Sequence, residues 1–133
     1  MINLIYGAKG SGKTERIIAH ANGKVMTSKG NVVYITDRKE HSGDVDNKVR
    51  FIDIKKYGVF DGKSAISFVQ GLLAGNYDIT DIYIDGLAKF IKKDVSEIED
   101  ELTQLENIAE ETGVNFTLTV SIAEPLDFMK KYL

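Results

Sequence analysis

Residues 7–14 read GAKGSGKT, and this octapeptide decides how the rest of the chain is interpreted. Two glycines separated by four residues and followed by Lys and Thr form the phosphate-binding loop pattern. An apolar run at residues 2–6 precedes it, and an amphipathic segment at residues 15–21 follows it, so the motif lies between a predicted strand and a predicted helix. The glycines let the backbone turn tightly, so that N–H groups at the start of the helix point at a bound anion. The stretch therefore predicts a polyphosphate site.

The residues of the loop have distinct expected tasks. Backbone amides would position the phosphates, Lys13 would reach the β- and γ-phosphates, and the Thr14 hydroxyl would bind the Mg²⁺ that bridges them. A nucleoside triphosphate is the ligand that satisfies all three. The chain has no Asn-Lys-x-Asp guanine-reading sequence, which favours ATP over GTP. The predicted nucleotide-binding residues are Gly7, Ala8, Lys9, Gly10, Ser11, Gly12, Lys13 and Thr14.

Composition limits the class of protein and its partners. With 133 residues the chain is expected to form one domain, residues 1–133, close to the smallest size that holds a nucleotide-binding α/β sheet. The net charge is −3, and eight of the twenty acidic residues fall between Asp94 and Glu111, which disfavours nucleic acid as a partner. There is no cysteine and there are only two histidines, which excludes disulfides and a cysteine-based zinc site.

The amino-terminal segment bears on localisation. It enters the first predicted strand without a basic and apolar export signal, and no apolar stretch approaches the length of a membrane span. The sequence therefore predicts a cytoplasmic protein with no membrane partner.

Apolar runs rich in Ile, Val and Tyr alternate with helical patterns along the chain. The runs are residues 2–6, 32–35, 49–54, 82–84 and 114–122. Continuous apolar runs of this kind are typical of buried parallel strands. The alternation predicts an α/β fold, a single-domain three-layer sandwich with a mainly parallel five-stranded sheet and helices on both faces.

Helices are predicted at three places besides the one behind the phosphate-binding loop. Residues 95–112 carry an apolar stripe, with Ser96 and Glu99 at capping-box spacing and a glycine at the end. A second helix is predicted at residues 64–74, and a short one begins at Pro125. The polar segments 37–48 and 55–63 are predicted to be loops.

A second candidate site residue is Asp85, which ends the apolar strand in DIYIDG at residues 81–86. An aspartate at the end of a strand can also be a simple turn residue. A carboxylate at the carboxyl edge of a parallel sheet, in a chain with a complete phosphate-binding loop, is instead expected to hold Mg²⁺ together with Thr14. The predicted metal-binding residues are therefore Thr14 and Asp85.

With these two motifs the chain resembles the RecA-like branch of the P-loop NTPases. In that branch the strand-end Walker B aspartate is followed by a small residue, as Asp85 is followed by Gly86 here. Many other phosphate-loop ATPases have at this position a glutamate that orients the attacking water, and this chain lacks it. The RecA-like branch has its catalytic carboxylate just after the second strand, which corresponds to VVYITDRKE at residues 32–40.

The resemblance implies roles for further residues. Glu40 or Asp37 would polarise the attacking water, Lys13 would neutralise charge during catalysis, and Thr119 or Ser121 would sense the γ-phosphate. The chain departs from the branch in having no recognisable DNA-binding loop and no appended domain, so recombinase activity is not implied.

The arginines give no clear arginine finger. The chain contains only Arg16, Arg38 and Arg50. We therefore expect hydrolysis to be stimulated by self-assembly or by a protein partner that supplies an arginine.

A second resemblance is to the thymidine-kinase family, whose loop also runs into Gly-Lys-Thr-Glu, as at residues 12–15 here. That family usually has a glutamate after its Walker B aspartate and a cysteine-bound zinc lobe, and this chain has neither. The expected function is Mg²⁺-dependent ATP binding with slow hydrolysis. A small-molecule kinase of nucleoside type and a nucleotide-dependent binding module with little turnover remain as alternatives.

Overall fold

A computed structural model describes residues 1–133 and contains a single five-stranded parallel sheet. The strands are β1 (Ile2–Gly7), β2 (Asn31–Thr36), β3 (Arg50–Asp53), β4 (Ile79–Asp85) and β5 (Asn115–Ser121). Their order across the sheet is β1-β5-β4-β2-β3, and every neighbouring pair is parallel. The five predicted strands and their parallel arrangement are confirmed.

The register brings the carboxyl ends of the strands to one edge of the sheet. Gly7 pairs with Ser121, and Thr36 pairs with both Asp85 and Asp53. Because β5 lies between β1 and β4 in the sheet, the last residues of β5 lie between the carboxyl ends of β1 and β4. This edge holds all the predicted site residues.

Four α-helices connect the strands. They are α1 (Lys13–Thr27), α2 (Gly62–Ala74), α3 (Leu87–Phe90) and α4 (Glu99–Thr112). The helices expected after the phosphate-binding loop and around residues 64–74 are confirmed. α3 was not predicted, because a single turn is too short to show helical periodicity.

Short 3-10 helices occupy several segments that were expected to be loops or α-helix. They span Lys39–Asp44, Ile54–Tyr57, Val95–Glu97 and Asp127–Tyr132. The last of them replaces the α-helix that was predicted to begin at Pro125.

The predicted capping box at Ser96 and Glu99 is wrong. The carboxylate of Asp94 accepts the Ser96 N–H at 2.9 Å and begins a 3-10 turn, so α4 starts only at Glu99, after an Ile98 N-cap without a side-chain hydrogen bond. The Ser96 hydroxyl donates to the same carboxylate and does not accept the Glu99 N–H, as a capping box would require. A capping box does form at α2, between Asp61 and Ser64.

Helices cover both faces of the sheet, as predicted. Alternate residues of a strand point to opposite faces: Val32 and Tyr34 of β2 pack with Ile17 of α1, whereas Val33 and Ile35 belong to the larger core. That larger core contains residues of α2 and α4, namely Ala65, Ile66, Val69, Leu102, Leu105, Ile108 and Ala109. No helix is both long and apolar enough to cross a bilayer.

Candidate functional site

A polar cleft of about 440 Å³ lies at the carboxyl edge of the sheet. None of the residues that line it is hydrophobic. It brings together most of the predicted site residues, namely Lys9, Gly10, Gly12, Lys13, Thr14, Asp37 and Asp85. These residues are far apart in the sequence, and the order of the strands in the sheet brings them together.

The phosphate-binding loop turns through left-handed backbone conformations. Gly10 has φ +82° and Gly12 has φ +91°, which is costly for any residue with a Cβ. Gly7 leaves room for a neighbouring side chain, because a Cβ there would meet the Ser11 Oγ atom and displace it. Within the loop, the Ser11 N–H donates to the Ala8 carbonyl at 3.1 Å. Gly7, Ala8 and Ser11, although predicted to bind the nucleotide, do not line the cleft.

The first turn of α1 presents unpaired backbone donors. The N–H groups of Gly12, Lys13, Thr14 and Glu15 have no acceptor within the protein, and the first helical bond at this end is Arg16 N–H to Gly12 O. Four consecutive free donors at the positive end of a helix form an arrangement that binds anions.

Lys13 is drawn into the loop instead of extending into solvent. Its side chain is buried, and Nζ donates to the Ala8 carbonyl at 3.0 Å. An ammonium group held inside the curve of the loop is placed to meet a phosphate bound by the free amides.

Asp85 is the centre of a hydrogen-bonded group at the floor of the cleft. Its carboxylate is 6% exposed. The Thr14 hydroxyl donates to Oδ2 at 3.0 Å, and the Thr119 hydroxyl donates to Oδ1 at 2.7 Å. The Tyr34 hydroxyl also donates to Oδ2 at 3.3 Å. Burial, followed by the Asp85 charge, raises the pKa of Tyr34, which keeps this phenol a donor across the physiological pH range.

The structure distinguishes between the two residues predicted to sense the γ-phosphate. The Thr119 hydroxyl is already occupied, since it donates to Asp85 and accepts the Gly86 N–H at 3.0 Å. Ser121 is exposed, lines the cleft and has no side-chain hydrogen bond within the protein. Thr119 therefore holds Asp85 and the following turn in place, and only Ser121 has a hydroxyl free for a ligand.

Thr119→Val is expected to lower the free energy of unfolding by about 1–3 kcal/mol, because it leaves the Gly86 N–H unpaired and removes a donor from the buried Asp85. Urea unfolding would measure this. Thr117→Val is the matched control, since Thr117 lies on the same face of β5, is equally buried at 5% and makes no side-chain hydrogen bond. Equal losses in both variants would contradict this role of Thr119.

Thr14 and Asp85 are suitable partial ligands for Mg²⁺. A hydroxyl and a carboxylate within hydrogen-bond distance of each other are hard oxygen donors of the kind Mg²⁺ prefers. The protein has no group of three His, Cys, Asp or Glu side chains that could hold a metal alone. Thr14 and Asp85 could therefore supply two oxygen ligands to a Mg²⁺ ion.

Asp37 lies beside Gly86, where the sequence lacks a glutamate. β2 pairs with β4 so that Thr36 is opposite Asp85, and Asp37 Oδ1 would be 3.8 Å from a Cβ added to Gly86. Gly86 has φ +86°, which disfavours a larger residue there. The Asp37 carboxylate, which follows the neighbouring strand β2, thus lies near the position that a glutamate after Asp85 would occupy.

Glu40 does not line the cleft. It lies in the 3-10 helix after β2, is exposed, and pairs with Arg38 at 3.4 Å. A hydrogen bond from its own backbone N–H, followed by the interaction with Arg38, lowers the pKa of Glu40. A carboxylate outside the cleft with a lowered pKa is a weaker candidate base than Asp37.

Tyr34, which is buried beneath Asp85, and Lys89, which lines the cleft, were not foreseen as site residues. Tyr34 looked like a core residue of a strand, and its hydroxyl reaches Asp85 only because β2 and β4 are neighbours. Lys89 lies on α3 and pairs with Asp37, with 3.5 Å between Nζ and Oδ2. The only feature of the sequence that could have pointed to Lys89 as a site residue is its position three residues after Gly86.

No protein-family model matches the chain, and no curated protein matches it significantly.

Proposed function

We propose that this protein binds a Mg²⁺–nucleoside triphosphate, with ATP as the expected nucleotide, and hydrolyses it slowly as a P-loop NTPase of RecA-like type. The observation that carries the proposal is the meeting of Thr14 and Asp85 at 3.0 Å, next to four free N–H groups. Two motifs far apart in the sequence supply the anion donors and the metal ligands of one site.

Charge and hydrogen bonding support a triphosphate as the ligand. The free amides of the first turn of α1 would hold its phosphates, and Lys13 would neutralise the β- and γ-phosphates. Thr14 and Asp85 would hold the Mg²⁺, which supplies further charge neutralisation when it is bound. A polar cleft without hydrophobic lining suits phosphates better than an apolar ligand.

Hydrolysis in this site needs little covalent chemistry from the protein. A water oxygen forms a bond to the γ-phosphorus while the bond from that phosphorus to the β,γ-bridging oxygen breaks, and the electron pair leaves with ADP. Asp37 orients the water and accepts one of its protons, which then passes to solvent. Positioned charges provide most of the rate enhancement in such sites.

The arginines support slow turnover in the isolated chain. Arg16 donates to the Tyr6 carbonyl at 2.9 Å, and Arg50 begins β3 at the opposite end of the strands. Arg38 lines the cleft, but its guanidinium pairs with Glu40, which does not line it. A second copy of the chain or another protein that inserts an arginine into the cleft would raise the rate.

One observation favours the kinase alternative. A depression of about 250 Å³ adjoins the cleft and shares four lining residues with it, namely Gly86, Lys89, Thr119 and Ser121. An acceptor bound there would lie next to the γ-phosphate and could take it in place of water.

Product analysis tests the proposal and separates it from the kinase. Wild-type protein incubated with Mg²⁺–ATP is expected to form ADP and inorganic phosphate in equal amounts, without any added acceptor. Equal rates with and without a panel of nucleosides would support hydrolysis. ADP that forms only when an acceptor is present, without free phosphate, would replace the hydrolase with a kinase.

A further inference from the structure

An ion pair in the cleft joins a fixed carboxylate to a movable cation. Asp37 is 6% exposed, and its Oδ1 atom is buried without a hydrogen-bond partner. Its Oδ2 atom lies 3.5 Å from Lys89 Nζ, on a side chain that is 69% exposed. Both residues line the cleft that holds the phosphate-binding loop.

The backbone of Lys89 is anchored although its side chain is free. Leu87 and Phe90, on the same short helix, are buried in the larger core. Gly86 begins this helix directly after Asp85, so the position of the helix is tied to the floor of the cleft. A lysine stem on a fixed turn can exchange one anionic partner for another at little cost, because ammonium has no fixed bonding geometry.

We propose that Lys89 is a γ-phosphate ligand supplied by the chain itself, and that it exchanges its ion pair with Asp37 for one with the γ-phosphate when a triphosphate is bound. This inference rests on the proposed function. A γ-phosphate carries more negative charge than a carboxylate and attracts the ammonium more strongly. The exchange releases Asp37 to act on water only when the substrate is complete, and ADP leaves the pair closed.

None of the other cations of the cleft is paired with a cleft carboxylate that it could exchange for a phosphate. Lys13 is held in the loop by the Ala8 carbonyl, and Arg38, which also lines the cleft, pairs with Glu40, which does not line it. Lys9 is exposed and has no carboxylate partner. Lys89 alone couples a cation of the cleft to a carboxylate of the cleft.

Affinities for Mg²⁺–ATP and Mg²⁺–ADP, measured by calorimetry on the full chain, test this assignment. Lys89→Met is expected to weaken ATP binding by about tenfold or more and to leave ADP binding within about twofold, because only ATP has the γ-phosphate. Lys89→Arg keeps the charge and is expected to retain the preference for ATP. Lys29→Met is the matched control, since Lys29 is exposed, makes no ion pair and lies before β2, at the opposite end of the strands.

Turnover gives a second readout. Lys89→Met is expected to lower kcat by about 10²–10³, the usual effect of removing one group that stabilises developing charge, and Lys89→Arg is expected to restore most of it. Equal losses of ATP and ADP affinity, or no change in either affinity or in kcat, would overturn the role of Lys89 and leave the nucleotide site standing. Failure of the wild type to bind ATP would overturn both. The affinity ratio needs no turnover, so a wild type that binds without hydrolysing still tests the assignment.

Discussion

Lys13→Ala is expected to weaken Mg²⁺–ATP binding by about a hundredfold or more. Charge-assisted hydrogen bonds contribute about 1.5–3 kcal/mol each, and a hundredfold loss corresponds to about 2.7 kcal/mol. The ammonium of Lys13 is buried in the curve of the loop, beside the free amides of Gly12 and Thr14, so no other group of the chain can take its place there. Calorimetric titration with Mg²⁺–ATP would measure the loss.

Lys29→Ala is the matched control for this experiment. Lys29 is exposed, makes no ion pair and lies before β2, at the opposite end of the strands from the cleft. Its loss is expected to change affinity by about threefold or less, in keeping with the small contribution of exposed charges. Unchanged ATP affinity in Lys13→Ala, in a protein that unfolds like the wild type, would contradict the assignment of the loop as a phosphate site.

Asp37→Asn is expected to lower kcat for hydrolysis by about 10²–10⁴, the range for loss of a positioned general base. ATP affinity is expected to stay the same or to increase, because the change removes a negative charge from the cleft that would hold the γ-phosphate. Phosphate release under saturating nucleotide would measure kcat.

Glu40→Gln is the control variant for Asp37→Asn. Glu40 is another carboxylate after β2, but it does not line the cleft and forms an exposed ion pair with Arg38, so its replacement is expected to leave kcat within about threefold of the wild type. A large loss in Glu40→Gln with normal turnover in Asp37→Asn would transfer the role of base to Glu40.

The sheet could be predicted because its strands are buried on both faces. Val32 to Ile35 form one continuous apolar run, which reads as a parallel strand without reference to the rest of the chain. Details that depend on competition between neighbouring polar groups could not be predicted. Asp94 and Ser96 are both possible N-cap residues for the helix that follows residue 94. Only the structure shows that the carboxylate of Asp94 accepts the Ser96 N–H.

The site, too, has parts that could be predicted from local sequence and parts that could not. The loop and Asp85 were predicted because short motifs at strand ends specify them locally. The choice between Asp37 and Glu40 was not, since it depends on β2 lying beside β4, and no local pattern encodes strand order. For the same reason, the hydrogen bond from the Thr119 hydroxyl to Asp85 and the ion pair of Lys89 with Asp37 could not be predicted from the sequence.

The most direct test of the central claim is a ¹H–¹⁵N NMR titration of the wild-type protein with Mg²⁺–ATP. At 14.8 kDa the chain is small enough for residue-by-residue assignment of its amides. We expect saturable shifts that are largest at Gly12, Lys13, Thr14 and Glu15, whose N–H groups would bind the phosphates. We expect no shift at Gly30, which precedes β2 at the opposite edge of the sheet. Unmoved amides from Gly12 to Glu15 at saturating nucleotide, or larger shifts near Gly30, would contradict the claim that this cleft binds a nucleoside triphosphate.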